Sequence, residues 1–316
     1  MELPYVIAAL SWIALSAQAA GDVELGKGCT AHFASVAEAT AILGQKDDFI
    51  QRLSPFDRAA RMKTDKSVSE EEFLRFVKTN AAAWSESEQA KVGAAISALR
   101  PALESLPIAF PKKISFIKTT GAEEGGAFYT RDSAVMMPAK QTDAADGELL
   151  KKTIAHELFH ILSRTNPELR EKLYALIGFT NCGEIEFPDE LKARKITNPD
   201  APRNDHAIRV RANGREVNVV PILFSSAPNY DLVRDGEFFN YLQLGFVIVS
   251  KNPNDGADVL PPQQLSGFFE QVGRNTDYII HPEEILAENF ALLTIGRRDV
   301  PSPDLLDRLR QALGQK

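Results

Sequence analysis

Thr153-Ile154-Ala155-His156-Glu157-Leu158-Phe159-His160 contains His-Glu-x-x-His, and that spacing decides where the side chains go. On a helix, residues four apart lie one turn above each other, so His156 and His160 can turn both imidazoles toward one ion. Glu157 stands about 100° round the helix from His156, within reach of a water on that ion. Two neutral imidazoles, a third protein ligand and an open position make a catalytic zinc site. Such a zinc lowers the pKa of its water to roughly 7, and a neighbouring carboxylate completes the activation. The flanking residues predict the helix itself. Asp146 offers an N-cap and no proline interrupts Gly147 to Arg164. Leu149, Leu150, Ile154, Leu158, Ile161 and Leu162 recur there as an apolar stripe.

The third ligand separates the zinc families. A metzincin would place Gly at 163 and His at 166; Ser163 and Asn166 stand there, which excludes that set. The other histidines are His32, His206 and His281. The informative stretch is His281-Pro282-Glu283-Glu284-Ile285-Leu286-Ala287-Glu288. Proline suits the first helical position, so a second helix opens there with His281 as its cap. Glu284 and Glu288 then share one face beside Ala287 and Ala291, opposite Leu286, Phe290 and Leu293. Acids in a first turn also complement the helix dipole. That accounts for Glu283, but not for Glu288 in mid-helix.

Taken together, the two stretches resemble the gluzincins, the thermolysin-like class of zinc metallopeptidases, in which Glu-x-x-x-Asp on a second helix follows His-Glu-x-x-His. The resemblance implies one Zn²⁺ per chain held by His156, His160 and Glu284. It also implies that Glu288 hydrogen-bonds a ligand imidazole and fixes its tautomer. Two departures stand out: Glu288 replaces the class's Asp, and the spacer from His160 to Glu284 is long. Glu283, His281 and Asp277 remain alternatives for the third position. The implied fold is α+β, a zincin-like catalytic domain whose small mixed sheet accompanies the two zinc helices. The expected reaction is hydrolysis of a protein or peptide substrate, with Glu157 moving the proton from water to the leaving amine. Tyr278, ahead of the ligand helix, is the preferred oxyanion donor, with His281 and His206 as further candidates by residue type. Two rivals remain: an exported binding or scaffold protein with a structural or vestigial zinc site, and a zinc amidase acting on a non-peptide bond.

The chain has 316 residues, 44% hydrophobic and 25% charged, with net charge −7, enough for a substantial core. It has no run of five Lys or Arg, which argues against nucleic acid or an anionic membrane surface as a partner. Residues 5–20 are almost purely apolar and end in Ala17-Gln18-Ala19, like a signal-peptide core and cleavage site, although Glu2 replaces the usual basic residue. The expectation is a secreted or periplasmic protein with no stable membrane insertion after cleavage. Cys29 and Cys182 are the two cysteines; outside the cytoplasm they could pair. Such a bridge would close a loop of about 150 residues, worth up to roughly 4–5 kcal/mol.

The rest of the chain divides into a signal peptide over 1–20, a helical region over 21–110 and the catalytic domain over 111–316. A β-rich insertion at about 181–262 separates the two zinc helices. In the helical region, Ser67-x-x-Glu70 and Ser85-x-x-Glu88 read as capping boxes, and His32 reads as a structural residue. Short strands are expected at 114–119, 127–130 and 133–138. Gly125-Gly126-Ala127-Phe128 is the candidate for an edge that a substrate backbone could approach and pair with. Asn181 to Arg203, rich in proline, reads as surface loop. Ala207 to Val220 reads as a hairpin turning at Asn213-Gly214, and Ser302 to Leu313 as a closing helix.

Overall fold

The computed structural model describes residues 22–249 and 259–314; the signal-peptide reading of residues 1–20 lies outside them. The front of the chain forms β1 (Val23–Gly26), β2 (Cys29–Phe33), α1 (Val36–Leu43), α2 (Asp48–Arg52), α3 (Pro55–Arg61), α4 (Glu70–Lys78) and α5 (Glu86–Ser105). The middle adds β3 (Lys113–Thr119), β4 (Tyr129–Arg131), β5 (Ala134–Pro138), α6 (Ala139–Ala144), α7 (Gly147–Thr165) and α8 (Pro167–Leu176). Then follow β6 (Phe179–Asn181), α9 (Asp189–Ala193), β7 (His206–Ala212), β8 (Arg215–Ser225), β9 (Leu242–Ile248), β10 (Val259–Leu260) and β11 (Leu265–Ser266). Helices α10 (Phe269–Val272), α11 (Pro282–Thr294) and α12 (Pro303–Ala312) end the chain. The fold is α+β.

The first sheet is mixed, in the order β1-β2-β3-β5-β4, with β2, β3 and β5 parallel and the outer pairs antiparallel. Alternation along its central strands buries both faces. Phe116, Val135 and Met137 join one core with α5, α7 and α11. Ile117, Ala134 and Met136 face the other way into a cluster with Leu43 of α1 and Phe73 and Val77 of α4. The second sheet, within the segment between the two predicted zinc helices, runs β10-β9-β8-β7-β11 and is antiparallel throughout, with β6 also on β7.

Several expectations need correction. Residues 22–33 are not helical but form a hairpin that joins the first sheet, and His32 lies on β2. The reason is its turn, where Lys27 and Gly28 both adopt positive φ, 51° and 77°, the two-residue geometry that matches strand twist. The cap of α4 is Ser69 with Glu72, two residues later than expected, whereas the box at Ser85 and Glu88 forms as read. Residues 125–128 are not a strand: Gly125 and Gly126 have φ of +60° and +81°, and a Cβ on Gly126 would meet the Gln141 amide at 2.2 Å. Cys29 and Cys182 are free thiols rather than a bridge. Cys29 is packed inside the first sheet's core, where burial pushes its thiol up to about 11, and Cys182 is exposed beyond β6. Among the described residues no helix is long and apolar enough to cross a membrane.

Candidate metal centre

Helix α7 starts where the cap demands, with the Asp146 carboxylate accepting the Leu149 N–H at 2.8 Å. Its stripe is buried from Leu150 to Leu162, although Leu149 itself is 54% exposed. Helix α11 opens on His281, whose Nδ1 accepts the Glu283 N–H at 3.1 Å, with Pro282 next in line. Burial holds the His281 ring down to about 4, so the neutral acceptor that a cap requires is the stable form. The two helices pack against each other in the main core, which brings their polar residues together at one end of the seam.

There His156 and His160 stand with ring centroids 4.8 Å apart. Glu284 Oε2 lies 3.0 Å from His156 Nε2 and 3.6 Å from His160 Nε2. One ligand atom from each of the three falls within 4.8 Å of the other two. Each imidazole is held from behind by its own carboxylate. His156 Nδ1 is 3.1 Å from Glu288 Oε1, and Lys152 Nζ donates to the other oxygen at 2.8 Å. His160 Nδ1 is 3.1 Å from Glu283 Oε1, whose partner oxygen accepts from Ser163 Oγ at 2.7 Å and Tyr174 OH at 2.6 Å. With a cation bound and a proton on each Nδ1, both Nε2 lone pairs would turn to the ion beside Glu284.

In the metal-free chain the same contacts act as ion pairs. Burial opposes charge on Glu284, but the imidazoles of His160 and His156 outweigh it and hold the carboxylate low. Burial opposes protonation of His156 as well, and Glu284 and Glu288 overcome it, raising that ring well above the ordinary value. Two polar atoms at the centre are buried with no hydrogen-bond partner, His160 Nε2 and Glu157 Oε2. An orphaned acceptor in a protein interior calls for an explanation, and a cation with its water would satisfy both. The donor set, two imidazoles and a carboxylate with a fourth position open, suits zinc.

Of the sequence candidates, His156, Glu157, His160, Glu284 and Glu288 are brought together here. Glu283 is adjacent, but its two oxygens are spent on His160, Ser163 and Tyr174. Asp277 is exposed and His281 is a cap, so neither takes the third position. Tyr278 lies beside the site, its ring 6.4 Å from that of His156. His206 does not: its ring nitrogens are engaged by Asp205 at 2.6 Å and Glu171 at 3.1 Å.

Two further residues come from the segment read as surface loop. Asn198 Nδ2 donates to Glu284 Oε1 at 2.6 Å. Asp200 clusters with Glu157 and His160, and its Oδ1 accepts from the backbone N–H and the hydroxyl of Thr130 at 2.7 and 2.6 Å. The Thr130 N–H belongs to the free edge of β4, just past the 125–128 stretch expected to meet substrate, and the Asp200 side chain occupies it. The segment is buried because the front of the chain grips it. The Asp57 carboxylate accepts the Thr197 N–H, and Arg61 donates to the Thr197 carbonyl at 3.0 Å. Burial and Asp200 raise the proton affinity of Glu157, while His156 and His160 lower it; the net shift is upward. Comparison of the chain with protein-family models, curated proteins and solved structures gives no match.

Proposed function

We propose that this chain is a zinc-dependent metallopeptidase of zincin-like architecture, exported to the periplasm or the medium, that hydrolyses peptide bonds. The observation that carries the reading is the convergence of one ligand atom each from His156, His160 and Glu284 within 4.8 Å, with the unpartnered Glu157 carboxylate oxygen buried beside them. When bound there, zinc supplies Lewis acidity and lowers the pKa of a water to roughly 7.

The chain's own residues do the rest. Glu283 and Glu288 hold the imidazoles in one tautomer, and Asn198 fixes the free oxygen of Glu284. Glu157 takes the proton of the attacking water and passes it to the departing amine. Its buried position beside the two ligand imidazoles suits that transfer, because a general base must lie within hydrogen-bond reach of the proton it moves. Tyr278, 44% exposed beside His156, is the group on the open side from which a hydroxyl could reach a developing oxyanion.

The test is metal content per chain together with hydrolysis of an unfolded protein substrate, for wild type, Glu284→Ala and Glu157→Gln. The expected result is about one zinc in wild type, loss or weakening of zinc in Glu284→Ala, and retained zinc with nearly all turnover gone in Glu157→Gln. Full turnover in Glu157→Gln would overturn the mechanism, and zinc indifferent to Glu284→Ala would overturn the ligand set.

A further inference from the structure

Beside the metal centre the structure holds a cavity of about 300 Å³ whose walls are mostly apolar. Phe128, Leu223, Phe238, Phe239, Leu242 and Ile280 line it. It shares Asn198, Asp200 and Tyr278 with the surroundings of the site just described, so it adjoins the metal centre. We propose that this cavity is the specificity pocket of the enzyme and takes one bulky apolar side chain, aromatic or Leu-like, of the residue flanking the cut. The proposal rests on the zinc-peptidase reading above.

Size selects the occupant first. Small-ligand sites run from roughly 300 to 1,000 Å³, so this cavity sits at the bottom of that range and has room for a single large side chain. Chemistry selects it next. Glu124, a buried acid in its lining, has both oxygens taken by Arg61, at 2.8 and 2.7 Å. A polar or charged side chain entering would lose water and gain no partner there. The mouth has the same preference: Phe239 and Tyr278 are both 44% exposed, an apolar rim continuous with the interior.

The walls are rigid, which a selective pocket needs. Leu223 and Phe238 belong to a buried cluster with Phe56 of α3, Ile196 and Tyr241. The guanidinium of Arg61 sits 4.3 Å from the Phe238 ring centroid. The front helices therefore brace the wall from behind through Phe56 and Arg61, while the β-rich insertion supplies most of the lining.

The test compares two hydroxamates by calorimetry on the zinc-loaded full chain: acetohydroxamate, and 3-phenylpropionohydroxamate, which adds a benzyl group. Wild type should bind the phenyl compound tenfold or more tightly than the other, the gain that burying an aromatic ring brings. In Ala127→Trp and in Leu242→Trp, each filling the cavity from a half-buried position, the ratio should fall to about two or less. A digest of unfolded protein by wild type should show Phe, Leu, Met or Tyr enriched beside the cut, and the filled variants should lose that enrichment. Parity of the two compounds in wild type, with acetohydroxamate bound, overturns the pocket and leaves the zinc reading standing. An undiminished ratio in both filled variants overturns it equally. No zinc and no acetohydroxamate binding overturns the zinc reading itself, and the pocket's role as a substrate subsite goes with it.

Discussion

Replacing Glu283 by Gln separates an acid that merely complements a helix dipole from one that holds a metal ligand. The residue is 3% exposed and accepts three hydrogen bonds, from His160 Nδ1, Ser163 Oγ and Tyr174 OH. Glutamine keeps the shape. Its carbonyl can still face the His160 N–H, and its NH₂ can donate to the two hydroxyls once they rotate to accept. The fold should therefore survive, with a loss of about 1–2 kcal/mol as charge-assisted bonds become neutral ones. Basicity is what changes, because His160 loses the negative charge behind it. Removing such a partner typically costs 10- to 100-fold in metal affinity, about 1.4–2.7 kcal/mol. Competition against a chromophoric chelator reads the affinity, and thermal unfolding reads the fold. Glu148→Gln is the control, since Glu148 also sits in a first helical turn, is solvent-exposed and touches no imidazole. Equal zinc affinity in Glu283→Gln and wild type would refute the argument and leave Glu283 as a dipole acid only.

Burial opposes a charge on His160, yet Asp200, Glu284 and Glu283 outweigh it and raise the ring to about 9 in the metal-free chain; the unfolded ring titrates near 6.5. That stability is fully present below pH 6.5 and is lost as pH rises through about 9. Thermal unfolding of chelator-treated protein should show a fall on the order of 2–3 kcal/mol across this window, flattened by zinc; a metal-free curve that is flat or rising there would contradict it. Arg61→Leu should destabilise the chain by about 3–5 kcal/mol in denaturant melts, because it strands the buried Asp57 and Glu124 carboxylates; a loss below about 1 kcal/mol would mean that they carry protons instead. Two thiols should titrate in denaturant without reductant, and in the native chain Cys182 should react well before buried Cys29; fewer than two would reinstate the bridge.

The helices of the site were readable because their signals are local. Asp146, an unbroken apolar period and a pair of histidines four apart mark α7, and His281-Pro282 marks the start of α11. The hairpin at Asn213-Gly214 was readable for the same reason, since both residues take the positive φ that its turn requires. The contacts of Glu283 were not legible because its partners come from two other helices, His160 and Ser163 in α7 and Tyr174 in α8, and a dipole explanation fits the sequence equally well. Asn198 and Asp200 left no trace. They lie in a proline-rich stretch without periodicity, and what buries them is a grip by Asp57 and Arg61 from more than a hundred residues upstream. The hairpin over 23–33 hid behind a lysine at positive φ, a backbone state that lysine seldom signals.

The ligands proposed for the metal come from far-apart stretches of chain, and this orders events in the life of the molecule. A chain emerging from its N-terminus presents His156 and His160 long before α11 exists, and the whole second sheet intervenes. All three carboxylates that hold or orient the centre, Glu283, Glu284 and Glu288, arrive together on that late helix. Asn198 reaches Glu284 through a segment seated by the first-made helices. The centre therefore closes only when the front, middle and end of the chain have all met. Metal capture would then report completed folding: a truncated chain offers two imidazoles and no cage.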